Sequence, residues 1–292
     1  MRVGLFIPSV APIATPEFLT AFAEAAEDNG FSSVWLGEHV VLFDEYESRY
    51  PYADDGRIGI PATSGMLDPF AALGFIAGCT ERVRIGTAVC LLPQRNPVAT
   101  AKEIATVDWL AGGRLDVGIG IGWLREEFEA LDAPFSDRAA RCREYVEVCR
   151  RLWCDEVSSY EGSHYRLPAC RMLPKPVQRP HPPLYFGGES DAALRRVADL
   201  GDGWHGFNLL PDAARERVAA LEALLDERGR RRDDVDVTVS PYLTPVRPEH
   251  LPQYRDAGVD QLVLMAFAVD PEGIREAIGR LSEEFAEPAT KL

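Results

Sequence analysis

The sequence predicts a (β/α)8 TIM barrel with insertions, an α/β fold in one domain spanning residues 1–292. Two observations carry the prediction. Short apolar runs alternate with amphipathic helical patterns along the chain, and the eight runs lack the polar alternation of a half-exposed sheet, as expected of parallel strands buried on both faces. The length of 292 residues also suits one such barrel. The rival is an open, doubly wound sheet, but the G-x-G-x-x-G that such a fold carries after its first strand is missing here.

The elements follow in order. Val3 to Ile7 forms the first strand, stopped by Pro8. Thr15-Pro16-Glu17 opens a helix with a cap residue, then Pro and an acid in the first turn, and Asn29-Gly30 closes it. Ser33 to Leu36 is the second strand, and a polar stretch at 40–66 follows. A helix opens at Asp68-Pro69, and Val83 to Ala88 is the third strand. A helix covers 97–110 and ends at Gly112-Gly113. Leu115 to Ile119 is the fourth strand, followed by a helix over 136–153. Residues 154–182 break the rhythm with a small hairpin around Tyr160 to Arg166 and a Pro-rich tail, read as an insertion. Leu184 to Phe186, a helix over Ser190 to Leu200, a strand near Trp204 and a helix over 212–228 come next. Val235 to Val239, Gln261 to Met265 and a last helix over 271–286 complete the chain.

Composition narrows the function. A formal net charge of -15 repels nucleic acid and anionic membranes, so neither is expected as a partner. The apolar run after Arg2 stops at Pro8, too short for a signal peptide, and no long uncharged run suits a membrane span. The six cysteines (79, 90, 142, 149, 154 and 170) form no C-x-x-C pair and are expected to be buried free thiols in a reducing cytoplasm. Cys142 and Cys149 have the spacing of one helix face. The five histidines (39, 164, 181, 205 and 250) show no metal-binding spacing, so no metal is expected.

In a barrel of this kind the chemistry lies at the C-terminal ends of the strands. After the second strand stand Glu38 and His39, an acid beside an imidazole, able to bind a polar ring and move a proton near neutral pH. The plainer alternative is a structural histidine. After the third strand, Ala88-Val89-Cys90-Leu91 is apolar enough to line one face of a flat ring, or simply to pack. After the fourth, the glycines of Gly118-Ile119-Gly120-Ile121-Gly122 let backbone approach a ligand, or let strands pack closely. After the fifth, Gly187-Gly188-Glu189-Ser190-Asp191 presents N–H groups at a helix start, a seat for phosphate or an ordinary cap. Arg195 and Arg196 lie one turn on, where either could face solvent.

Taken together, Gly37-Glu38-His39, Leu92 to Pro97, Ala101 to Thr106, Gly112-Gly113-Arg114, Gly118 to Phe128, Gly187 to Ser190 and Gly201 to Trp204 resemble the bacterial luciferase-like superfamily over nearly the whole chain. The branch most resembled is that of actinobacterial oxidoreductases assigned to the deazaflavin coenzyme F420. The resemblance implies a TIM barrel with insertions, often a homodimer. It implies a non-proline cis peptide at Ala88-Val89 backing the ring, and a phosphate held by Gly187, Gly188, Ser190 and Asp191. It also implies approach of Ile121-Gly122 to the cofactor chain, and an acid–histidine pair at Glu38-His39, with Glu where relatives usually carry Asp. Deazaflavin-dependent sugar-phosphate dehydrogenases place a catalytic Glu just after the fourth-strand glycines. This chain has Trp123 there, with Glu126 and Glu127 further on and expected out of reach, so sugar-phosphate oxidation is not assigned.

The function expected is hydride transfer between the deazaflavin and an organic substrate, with His39 as proton donor or acceptor and Phe43, Tyr46, Tyr50 and Tyr52 walling the substrate pocket or pinning a loop. The alternatives are a monooxygenase using reduced FMN and, further off, a non-catalytic barrel that only carries flavin. A cationic groove beside the phosphate seat would favour F420, whose glutamyl tail is acidic.

Overall fold

The computed structural model describes residues 1–242 and 244–292. In chain order the strands are β1 (Arg2–Phe6), β2 (Ser33–Leu36), β3 (Arg84–Thr87), β4 (Leu115–Ile119), β5 (Ser158–Glu161), β6 (Arg166–Cys170), β7 (Leu184–Gly187), β8 (Gly203–Phe207), β9 (Asp236–Ser240) and β10 (Gln261–Met265). Eight of them close a parallel barrel in the order β1-β10-β9-β8-β7-β4-β3-β2, and β5 and β6 form the separate antiparallel hairpin expected in the insertion.

The α-helices longer than one turn are α1 (Pro16–Asp28), α2 (Pro69–Cys79), α3 (Pro97–Leu110), α4 (Arg125–Ala130), α5 (Arg138–Cys154), α6 (Asp191–Leu200), α7 (Pro211–Asp226), α8 (His250–Asp256) and α9 (Pro271–Leu281). Their starts are written in the sequence. Pro occupies the first position of α1, α2, α3, α7 and α9, where its missing N–H costs nothing. Side chains of Thr15, Asp68, Asn96, Ser190 and Asp270 accept the orphan N–H groups. Two short helices are absent from the sequence expectation, α4 and α8. Neither has a side-chain cap.

The barrel interior is filled in layers, which fixes where a ligand can go. At the N-terminal face, Arg84 pairs with Asp116, Nε to Oδ2 at 2.8 Å, and Arg2 pairs with Asp236. Above them Trp35, Tyr185 and Val263 pack together with Phe6 and Ala88, the two large rings edge to face at 5.4 Å. A Cβ on Gly86 would lie 2.6 Å from the Trp35 ring, so a side chain there would displace this layer. Above this layer, at the C-terminal mouth, there is space.

All six thiols are free. Cys90, Cys142 and Cys149 are buried, the last two on one face of α5, but Cys79 and Cys170 are only half-buried and Cys154, the last residue of α5, is exposed, contrary to the expectation of buried thiols throughout. Among the described residues no helix is long and apolar enough to cross a membrane.

Candidate active site

Four of the strand ends singled out from sequence meet at one cavity of about 450 Å³ in the barrel mouth. Glu38 and His39 enter it from β2, Ala88 and Val89 from β3, Ile121 and Gly122 from β4, and Gly187 and Gly188 from β7. The Ala88–Val89 peptide is cis, as the resemblance implies. Ser190 and Asp191 stand behind the wall. Ser190 Oγ accepts the Ala193 N–H at 3.2 Å, capping α6, and Asp191 pairs with Arg217 at 3.0 Å.

His39 is held from behind. Its Nδ1 lies 3.0 Å from Oε2 of Glu127, and both side chains are buried. The other carboxylate oxygen accepts the N–H of Val40 at 2.6 Å. An ionised carboxylate only accepts, so it fixes the imidazole proton on Nδ1 and leaves Nε2 as the nitrogen free to exchange a proton. As expected, Glu127 does not reach the cavity, but α4 carries it onto the back of His39, a positioning role that sequence reasoning missed. A signal was present in the sequence: Leu124, Glu127 and Phe128 share the i, i+3, i+4 spacing of one helix face, and all three are buried. Glu126 is engaged elsewhere, accepting the N–H groups of Glu47 and Ser48 at 2.7 and 3.2 Å.

Glu38 also lines the cavity, but its carboxylate is occupied. One oxygen takes the Leu91 N–H at 2.6 Å and the other takes Arg95 Nε at 2.6 Å. Arg95 in turn pairs with Asp68 and Glu103. Glu38 thereby braces the loop that carries Val89 and Leu91.

The strand-four glycines resolve toward close packing. A Cβ on Gly118 would collide with the Thr87 carbonyl, and one on Gly120 with Val89. Gly120 and Gly122 also border the cavity. Gly188 adopts φ +105, a conformation side chains avoid, and its carbonyl accepts the Trp204 indole N–H at 3.0 Å. Glu189 then turns inward to accept Phe207 N at 2.7 Å and the Tyr52 hydroxyl at 2.9 Å. Its burial raises its pKa.

The 40–66 segment roofs the mouth. Tyr50 and Tyr52 line the cavity, whereas Phe43 and Tyr46 do not. Tyr46 and Tyr50 both pack edge-on against Trp123, at 5.7 and 5.2 Å, and Tyr52 packs on Phe207 at 4.8 Å. His205, from the middle of β8, was set aside in the sequence as one of five scattered histidines; it lines the same cavity.

A cationic group borders the β4 and β7 ends. Arg138 Nε donates to the Gly122 carbonyl at 3.2 Å, and Arg196 is buried on α6 while Arg195 is exposed. The pKa of Arg138 is lowered by burial and by the charges of Arg125 and Arg196; that of Arg196 is lowered by burial and by Arg143. Arg125 and Arg138 both stack on the Phe135 ring, at 4.5 and 3.8 Å from its centre. Among the described residues no carboxylate pairs with Arg125, Arg138 or Arg196.

A family model described as luciferase-like monooxygenase matches residues 1–249. An uncharacterised protein of Mycobacterium tuberculosis is 32% identical over 264 residues, 90% of this chain and 91% of that one. An FMNH2-dependent dimethylsulfone monooxygenase of Pseudomonas putida is 32% identical over 155 residues, 50% of this chain and 42% of that one. The coenzyme F420-dependent tetrahydromethanopterin reductase of Methanopyrus kandleri superposes with a TM-score of 0.75 at 19% identity, covering 97% of this chain and 98% of that one. At that identity the likeness concerns the fold.

Proposed function

The chain belongs to the luciferase-like monooxygenase family, and from that premise we propose that it is an oxidoreductase that binds coenzyme F420 in the barrel mouth and acts on a small organic substrate. The observation that carries the choice of cofactor is the unpaired group of Arg125, Arg138 and Arg196 beside Gly122 and α6. In a chain of net charge -15, three guanidiniums without carboxylate partners mark a place for an external anion. F420 has a phosphate and an acidic tail to put there; FMN has the phosphate alone.

The residues suit such a group. Apolar walls from Val89, Leu91 and Ile121 match a planar ring. Gly187 and Gly188 would hold the phosphate at the start of α6, with the arginines beyond it. When bound, the deazaflavin gives or takes hydride at C5. His39 moves the accompanying proton through Nε2, and Glu127 keeps the ring oriented and stabilises its protonated form. Trp123, Tyr50 and Tyr52 keep water from the ring face.

The second reading is a monooxygenase that uses reduced FMN, favoured by the Pseudomonas putida relative. Titrating the purified apoprotein with F420 and with FMN, by fluorescence at low and high salt, separates the two. Tighter, salt-sensitive binding of F420 is expected. Tighter FMN binding with substrate-dependent oxygen consumption would replace the first reading by the second.

A further inference from the structure

His205 is 2% exposed and lines the mouth cavity, yet neither ring nitrogen has a hydrogen-bond partner among the described residues. Ser9, just beyond β1, is 1% exposed and lines the same cavity, and its hydroxyl also lacks a partner. Buried polar groups are nearly always satisfied, and leaving one bare is costly, so two bare groups on one cavity wall point to a ligand. The His205 ring is held edge-on against Trp35 at 5.1 Å, so its direction is set by packing. Burial lowers its pKa to about 4, so at neutral pH it offers one donor and one acceptor and no charge.

Position separates these two from the groups assigned to the cofactor. The proposed cofactor residues come from β2, β3, β4 and β7. His205 and Ser9 belong to the other side of the mouth, built by β8, β9, β10 and β1, with Phe6, Phe207, Tyr242, Met265 and Phe267 around them. Among the described residues no Lys or Arg borders the cavity, and the one carboxylate that does, Glu38, is taken by Arg95 and Leu91. A charged substrate would find no counter-ion.

We propose that His205 and Ser9 form the polar end of the substrate pocket, where they hydrogen-bond the single carbonyl or hydroxyl oxygen of an otherwise apolar, uncharged substrate. This rests on the oxidoreductase reading for the word substrate, but the recognition itself is a binding property that can be measured apart from turnover.

The test uses three matched probes: 4-phenyl-2-butanone, its hydrocarbon counterpart butylbenzene, and 4-phenylbutanoate. Each is titrated into the chain with and without F420, by calorimetry and by 15N NMR of the histidine rings. The ketone is expected to bind more tightly than the hydrocarbon and the carboxylate, and to move the ring nitrogens that disappear in His205→Phe. That variant should weaken the ketone about five- to tenfold, leave the hydrocarbon unchanged and leave F420 affinity unchanged. His205→Gln should recover part of the loss, and Ser9→Ala should weaken the ketone severalfold without touching the β8 packing. Equal affinity for ketone and hydrocarbon, preference for the carboxylate, or loss of F420 affinity in His205→Phe would each overturn the proposal. Failure of the wild-type chain to bind F420 would sink the cofactor assignment instead, and the comparison of ketone with hydrocarbon would still stand.

Discussion

Oε2 of Glu127 lies 3.0 Å from Nδ1 of His39, joining residues 88 positions apart. One arises from the loop after β2 and the other from α4, which follows β4, so the contact spans the end of the intervening β3 and exists only because the barrel gathers these strand ends at one mouth.

If this pair works as a unit, His39→Ala should depress turnover by about 10²–10⁴-fold with little effect on cofactor affinity. Glu127→Gln should lower turnover by about tenfold or more and alter the pH profile, since a neutral amide no longer favours the protonated ring. In the double variant the losses should be far from additive. Additive losses in steady-state kinetics would show that the two act separately.

The arginine group makes a second prediction. Arg138→Gln or Arg196→Gln should weaken F420 binding several-fold and flatten its salt dependence, and should change FMN affinity less. Fluorescence titration at two ionic strengths reads this directly. Identical losses for both cofactors would show that these arginines serve the shared phosphate and not the acidic tail.

Gly118→Ala should destabilise the chain by about 1–3 kcal/mol, because the new methyl meets the Thr87 carbonyl and backbone cannot step aside as a flexible side chain would. Thermal unfolding should show a midpoint several degrees lower. An unchanged midpoint would mean that β3 and β4 separate more easily than their packing indicates.

Acid should loosen the roof of the mouth. Burial works to raise the Glu126 carboxyl, but hydrogen bonds from the Ser48 hydroxyl and from the N–H groups of Glu126, Glu47 and Ser48 outweigh it and bring the pKa down to about 2, from an ordinary value of 4.5. A depressed folded-state pKa gives stability that is present above the unfolded value and lost as pH falls through the folded one. Hydrogen exchange near Glu47 and Ser48 should therefore accelerate as pH drops from about 4.5 toward 2, beyond the intrinsic pH effect. In Glu126→Gln that extra acceleration should be missing.

The sequence was most legible where local rules decide the outcome. The strands Leu115–Ile119 and Gln261–Met265 fall on the residues expected of them, as short apolar runs buried on both faces allow. Thr15, Asp68 and Ser190 marked helix starts because a side-chain oxygen before Pro or an acid has a specific use there. What escaped was decided by contacts far apart in the chain. α4 has only six residues and no side-chain cap, so little in its local sequence marks it. Glu38 and His39 look equivalent in sequence, yet one braces a loop through Arg95 and the other faces the cavity with Glu127 behind it. His205 could not be told from the other histidines until β8 turned it inward.

The ties of the 40–66 segment also determine how this barrel can be recombined. Val40, Glu47 and Ser48 are bonded to carboxylates of α4, and Tyr46 and Tyr50 lean on Trp123. A chimaera that imported this segment alone from a relative would leave His39 on Glu127 but set unmatched side chains against Trp123 and shift the N–H groups that Glu126 and Glu127 accept. The exchangeable module is therefore two pieces of chain, 37–66 together with 122–130, which have to be swapped as a pair.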